Sequence, residues 1–215
     1  PLDWTEAIKE QQRNWIGRSK GATICFVLES TSLSKEESLE IEVFTTRPET
    51  IFGVSYLTLA PEHEFVSRIS TTSYKAAVEE YIDKTKKRSD RERMSDVKTV
   101  SGQFTGAYVI HPFSGNKIPV WIGDYVLASY GTGAVMAVPA HDSRDFAFSK
   151  HFDLPLLQVI EGGNLPYESF DGKVGNLINS DFLDGMSVSD ATHTVISKME
   201  TEGFGSGKIQ YRLRD

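Results

Sequence analysis

Apolar positions along the chain fall mostly into short alternating or continuous runs, and these predict strands. Leu39, Ile41 and Val43 alternate with Glu40 and Glu42, so Leu39–Thr46 reads as a strand with one buried face. Ala22–Glu29 reads as its partner, and the polar stretch Ser30–Ser38 as a loose hairpin between them. Further strand-like runs cover Val54–Ala60, Gly106–Pro112, Ile118–Leu127, Gly133–Pro139, Leu154–Ile160 and Lys208–Leu213, with Ser114-Gly115-Asn116 as a turn. Helical spacing lies between them. Residues 4–14 read as the end of a helix, Pro61 opens another, and a third runs from about Ser73 to Lys86. His141–Phe152 and an amphipathic segment from Ser187, stopped by Gly203, complete the set. Strands outnumber helices, Gly and Asn residues between 162 and 185 mark a loop-rich insert, and no repeat or Pro/Gly/Ser-rich linker divides the chain. The pattern predicts one α+β domain over residues 1–215, with a curled or closed, mainly antiparallel β-barrel core decorated with helices.

Composition narrows the class. At 215 residues, 39% hydrophobic and 25% charged, the chain can bury a substantial core and reads as an ordinary globular protein. Cys25 is the sole cysteine, which excludes an internal disulfide and a cysteine-rich zinc ribbon and favours a reducing compartment. No apolar run approaches the roughly 20 residues of a bilayer span, and the first residues lack a basic start and an apolar core, so no membrane association or targeting is expected. A net charge of −7 argues against a protein that grips long nucleic acid by its phosphates. The basic run Lys84, Lys86, Lys87, Arg88, Arg91 and Arg93 is interrupted by Asp90 and Glu92, and reads as a solvated helix end.

Two stretches carry candidate chemistry, and each has a plain structural reading. Gly131-Thr132-Gly133 lacks the phosphate-loop pattern, and Met136 stands where a dinucleotide fingerprint needs glycine, so these glycines read as a turn into a strand. Asp142 sits where a helix N-cap belongs, with Asp145 at the capping-box position three residues on. In "TTRPET" (Thr45–Thr50), Thr46 and Glu49 have capping-box spacing and Pro48 falls in the first turn. The same hydroxyls and guanidinium at the mouth of a strand would also suit a polar ligand. His63, His111, His141, His151 and His193 are scattered; His141 and Asp145, at i and i+4, are the one pair spaced to clasp a metal, and no metal is expected.

Taken together, "FTTRPETIFGVSYLTLAPEH" (Phe44–His63) and "YGTGAVMAVPAHDSRDFAF" (Tyr130–Phe148) resemble the two signature segments of the editing domain inserted in leucyl-tRNA synthetase. "NWIGRSKGA" (Asn14–Ala22) resembles that family's path into the insert, "IPVWIGDYVL" its middle, and "YRLRD" (Tyr211–Asp215) its exit, so the likeness spans essentially the whole chain. About residues 1–18 and 208–215 would then be the connecting segments towards a synthetic core. Glu49 distinguishes the chain from the isoleucine enzyme's insert, which has tryptophan there. The valine enzyme's insert differs after "TTRPET" and around "AVMAVP". "AVPAHDSRD" with Thr45-Thr46-Arg47 resembles the bacterial type, which implies bacterial cytoplasm, or a mitochondrion or chloroplast. H-x-G-H and K-M-S-K-S are absent, as expected of an insertion domain without the synthetic site.

The resemblance implies hydrolysis of the aminoacyl ester on mischarged tRNA-Leu, bearing norvaline, isoleucine or methionine, with leucyl-tRNA spared. A synthetic site gains only about 1–3 kcal/mol per methylene, so near-isosteres leak through and a second pocket must remove them. In that family Asp145 would pair with the substrate's α-ammonium and stay ionised at a helix start. Thr50 would collide with leucine's fork. Met136 and Val138 would line the side-chain pocket, and Thr45, Thr46 and Arg47 would surround the ester and ribose. Tyr130 would lie against the terminal adenosine, and Asp142 would support the site through its cap. No cofactor is implied, and water is the attacking group. The partners implied are the acceptor end of tRNA-Leu and the rest of a parent synthetase, with the fragment a monomer of weak tRNA affinity. Three rival readings remain open: the valine or isoleucine enzyme's editing domain, a metal-dependent hydrolase centred on "HDSRD", and a non-catalytic module binding nucleotides or amino acids.

Overall fold

The computed structural model describes residues 3–29, 39–95, 99–129 and 131–213. The hairpin loop expected at Ser30–Ser38, and Tyr130, lie outside the described residues. Strands β1 (Ile16–Leu28), β2 (Glu40–Thr45), β3 (Tyr56–Leu59), β4 (Gly102–Ile110), β5 (Lys117–Gly123), β6 (Ala134–Ala137) and β7 (Gly205–Leu213) form one seven-stranded sheet. Helices α1 (Glu6–Trp15), α2 (Val66–Ile69), α3 (Lys75–Thr85), α4 (Asp90–Ser95), α5 (Ser143–Phe152) and α6 (Val188–Glu202) are interspersed, giving the expected α+β class.

The strand order is β2-β1-β4-β5-β3-β6, with β7 also on β1. Every ladder is antiparallel except β3–β5. β1 begins six residues earlier than its apolar run because β7 pairs with Ile16–Ile24, while the other edge of β1 takes β2 from Ala22 to Val27. Backbone pairing, rather than an apolar face, makes Ile16–Gly21 a strand. Among the described residues no ladder joins β2 to β6, so the sheet is open and the closed-barrel option is overturned. The sheet is curled nonetheless, since β2 and β6, at opposite ends of the order, lie beside each other.

The predicted alternation in β2 is real: Ile41 and Val43 are fully buried, and Glu40 and Glu42 are exposed. They join Ile24, Phe26, Leu57, Leu59, Val109, Val120 and Ile122 in the core, and α6 covers it with Ala191, Val195 and Met199 at four-residue spacing. Ser187 caps α6 through the Asp190 N–H, and Gly203 ends it at φ 83°, as the sequence predicts.

Three expectations fail. Leu154–Ile160 is not a strand: the Val159 and Ile160 N–H groups donate to His141 Nε2 at 3.0 and 3.1 Å, and Ile160 keeps a single bridge to Leu177. The helix expected from Pro61 shrinks to Val66–Ile69. The charged run is not only a solvated helix end, because Ser89 and Glu92 form a capping box that starts α4 (Glu92 N–H to Ser89 Oγ 3.3 Å, Ser89 N–H to Glu92 Oε2 2.7 Å). That helix buries Arg93, 4% exposed, whose guanidinium donates to the Asp124 and Val126 carbonyls, each at 2.8 Å, and to Glu62.

Candidate functional site

The seam between β2 and β6 opens into a cleft of two adjoining lobes. A lobe of about 370 Å³ is lined by Thr45, Thr46, Arg47, Thr50, Met136, Val138, His141, Asp142, Asp145, Asp171 and Lys173. A lobe of about 560 Å³ shares Thr45, Thr46, Met136, Asp142 and Asp145, and adds Phe44, Val126, Leu127 and Arg144 among others. Asp145 and Thr50, about a hundred residues apart in sequence, therefore face one cavity, as do all the other sequence-derived candidates except Tyr130, which lies outside the described residues.

The first wall is the end of β2 and the turn that leaves it. The capping box expected of Thr46 and Glu49 does not form: Pro48–Gly53 is a 3₁₀ helix whose N-cap, Arg47, has no side-chain cap bond. Short-range bonds shape the turn instead. Arg47 N–H donates to Thr45 Oγ1 at 3.0 Å, and Thr50 Oγ1 donates to the Arg47 carbonyl at 2.9 Å. Glu49 is buried; its carboxylate meets Arg47 Nε at 3.3 Å and lies 3.2 Å from Thr192 Oγ1 on α6. Gly21, on β1, lies under this turn, and a Cβ there would fall on the Thr45 carbonyl.

The second wall is β6 and the start of α5. Asp142 is the N-cap that the sequence predicts, accepting from the Arg144 and Asp145 N–H groups at 2.9 and 3.0 Å. Asp145 is not the second half of a capping box. Its Oδ2 accepts from the Val138 N–H at 2.9 Å and its Oδ1 lies 3.5 Å from the Tyr125 hydroxyl. Tyr125 in turn lies 3.0 Å from Thr58 Oγ1 and 3.3 Å from the Tyr56 hydroxyl, a polar chain running into the protein. The expectation that the helix start keeps Asp145 ionised is overturned. Burial, with the Asp142 charge beside it, pushes its carboxyl up to about 8, against the opposing Val138 N–H, the nearby Arg144 and the Tyr125 hydroxyl. The buried Tyr125 and Tyr56 hydroxyls are pushed upward too, chiefly by burial.

The third wall comes from the loop-rich insert, and Asp171 and Lys173 escaped the sequence reading. Only the fold brings them in. His141 Nδ1 donates to the Phe170 carbonyl at 2.9 Å, Phe170 N–H donates to the Ala140 carbonyl at 2.8 Å, and Arg47 Nη2 donates to the Gly172 carbonyl at 3.0 Å. Arg47 Nη1 completes the tie on the His141 carbonyl at 2.9 Å. Tyr125 also escaped notice, since nothing near it in sequence marks a tyrosine as the partner of a distant carboxylate.

The metal reading of "HDSRD" loses its nitrogen ligand. His141 donates from Nδ1, and its Nε2 accepts from two backbone N–H groups, so neither nitrogen is open. Burial lowers its pKa, in keeping with a neutral ring. Among the described residues no group of three or more His, Cys, Asp and Glu side chains is arranged to hold a metal, and no helix is long and apolar enough to cross a membrane.

Known proteins agree with this picture. A family model described as "Leucyl-tRNA synthetase, editing domain" matches residues 13–200. The chain is 54% identical over 215 residues to a leucine-tRNA ligase of Christiangramia forsetii, and 51% identical over 214 residues to one of Amoebophilus asiaticus. Each match covers 100% of this chain, but 22% and 23% of those relatives, so the chain spans less than a quarter of their length. The solved structure of an Agrobacterium radiobacter LeuRS, in a ternary complex with tRNA and LeuAMS, superposes with a TM-score of 0.73 at 31% identity, covering 98% of this chain and 22% of that one. The valine- and isoleucine-type alternatives thereby fall away. The chain belongs to the leucyl-tRNA synthetase editing domain family.

Proposed function

We propose that this domain proofreads for a leucyl-tRNA synthetase by hydrolysing the ester of tRNA-Leu mischarged with norvaline, isoleucine or methionine, and sparing leucyl-tRNA. One observation carries the reading: an acid suited to an ammonium, Asp145, and a threonine suited to discriminate side chains, Thr50, line the same 370 Å³ cavity. The α-ammonium sits on Asp145 and the side chain extends against Thr50, Met136 and Val138. Leucine branches at Cγ, where Thr50 meets it, whereas norvaline is unbranched and isoleucine branches one carbon earlier. The lost contact and the clash need supply only about 1–3 kcal/mol each to separate them.

Thr45 and Thr46 surround the ester carbonyl, with Arg47 behind them. Three of that guanidinium's N–H groups hold the walls together, so its first task is to position Thr45, Thr46 and the loop at residues 170–173. Water attacks the ester with the ribose's free hydroxyl assisting, and no protein nucleophile is involved. Rate comes from holding the ester between fixed donors. The terminal adenosine occupies the larger lobe against Phe44, Val126 and Leu127. The partner is the single-stranded acceptor end, which suits an acidic domain. No cofactor takes part.

The test is deacylation of norvalyl-tRNA-Leu and leucyl-tRNA-Leu by this chain. Turnover of the first and not the second supports the proposal. Binding of norvaline and adenosine without turnover of either ester would leave a non-catalytic module instead.

A further inference from the structure

The cleft is lined by three acids, Asp142, Asp145 and Asp171, and by cations of unequal availability. Arg47 is spent on two carbonyls and Glu49. Arg144 lies over the Tyr125 ring, 5.9 Å from its centroid. Lys173 differs: it lines the smaller lobe, is exposed, and has no carboxylate partner among the described residues. No ion pair joins it to its neighbour Asp171, whose Oδ1 accepts from the Ser169 hydroxyl at 2.6 Å. The chain root of Lys173 is nonetheless fixed, since the Phe170 and Gly172 carbonyls just before it are bonded to His141 and Arg47. A Cβ on Gly172 would also run into the Phe170 ring, so the backbone has little room to shift there.

An unpaired ammonium held at the rim of an acidic cleft is a site for an anion. Building on the proofreading reading, the geometry points to Lys173 as a phosphate-positioning residue, which binds the phosphodiester joining the terminal nucleotide to the one before it. The contact offsets the repulsion between that phosphate and the carboxylates of Asp142 and Asp171. It also fixes how deeply the ester enters the lobe that holds Thr50. Lys173 takes no part in the bond-breaking step; it holds the nucleotide end while Asp145 holds the amine.

The experiment compares two norvalyl esters, one on adenosine, which has no phosphate, and one on a CCA trinucleotide, which has the phosphodiesters and nothing else of the tRNA. Lys173→Gln should raise KM for the trinucleotide by about tenfold more than for the adenosine ester, a typical loss for one charge-assisted bond. Lys173→Arg should restore it. The KM of the trinucleotide ester should also depend less on salt in Lys173→Gln than in the wild type. Equal loss on both esters, or no loss on the trinucleotide, overturns the assignment while leaving proofreading intact. A wild-type domain inert towards both esters overturns the proofreading reading, and this one with it. Circular dichroism of Lys173→Gln, expected to match the wild type, shows that a loss does not come from misfolding.

Discussion

Replacing Asp145 by asparagine should stabilise the fold, increasingly so as pH rises. The wild-type carboxyl, 9% exposed, is pushed up to about 8 from 3.8, mainly by burial. Between those values the native state holds a proton that the unfolded chain has lost, so the contribution of Asp145 to stability is full at low pH and declines as pH rises towards 8. The slope approaches about 1.4 kcal/mol per pH unit, or about 4 kcal/mol between pH 5 and 8. Asparagine does not titrate, yet its Oδ1 can accept from the Val138 N–H as the Asp145 carboxyl does, and its amide can use the Tyr125 hydroxyl oxygen, 3.5 Å from the carboxyl, as an acceptor. Urea unfolding of both proteins at pH 4, 5, 6, 7 and 8 isolates the effect, because other titrating groups such as the buried histidines cancel in the difference. Near pH 4 the two should agree within about 1 kcal/mol, and the Asp145→Asn variant should gain steadily from there to pH 8. A difference that stays flat over that interval would refute the reasoning, and would return Asp145 to an ionised carboxylate held by the helix start. Loss of deacylation in the stabilised variant would show the cost of keeping an acid at this position.

Thr50→Ala should open the side-chain lobe and admit leucine, so that leucyl-tRNA-Leu is hydrolysed at least tenfold faster, on the basis of about 1–3 kcal/mol for one methyl-sized clash; persistence of the leucyl ester would exclude Thr50 as the discriminator. The kcat/KM for norvalyl-tRNA should peak near pH 8, rising as Asp145 loses its proton and falling as the substrate amine, with a pKa of about 8, loses its own; a profile flat from pH 6 to 8 would detach Asp145 from the ammonium. Gly21→Ala should push the Thr45 carbonyl away and lower deacylation by about a hundredfold, the scale of an ångström-sized displacement in a reacting site; full activity in that variant would show that the turn after β2 tolerates the shift. His141→Ala should cost on the order of 3 kcal/mol in urea unfolding, by stranding the Phe170 carbonyl and the Val159 and Ile160 N–H groups; added zinc should not restore it.

The local signals were those whose physics is complete within a few residues. Alternation in Leu39–Thr46, the Asp142 cap, the glycine stop at 203 and the helix from Ser187 all depend on neighbours in sequence, and each appears where the pattern places it. The two signature segments were legible by their resemblance to those of the family, and that resemblance, rather than local physics, pointed to Thr45, Thr50, Met136, Val138 and Asp145. What tertiary structure alone decided is what each polar atom does once water is removed from it. The Glu49 carboxylate turned from a cap to Arg47, and Asp145 turned from its own helix to Val138 and Tyr125. His141 used both nitrogens to stop Leu154–Ile160 from becoming a strand. Arg93 left solvent to hold the loop at residues 124–126. Those outcomes depend on partners far away in sequence, and the partner that wins is the one within about 3 Å when burial makes an unmet hydrogen bond costly. Sequence order carries no record of that distance, which is why Lys173 reaches the cleft only through the bonds that tie Phe170 and Gly172 to His141 and Arg47.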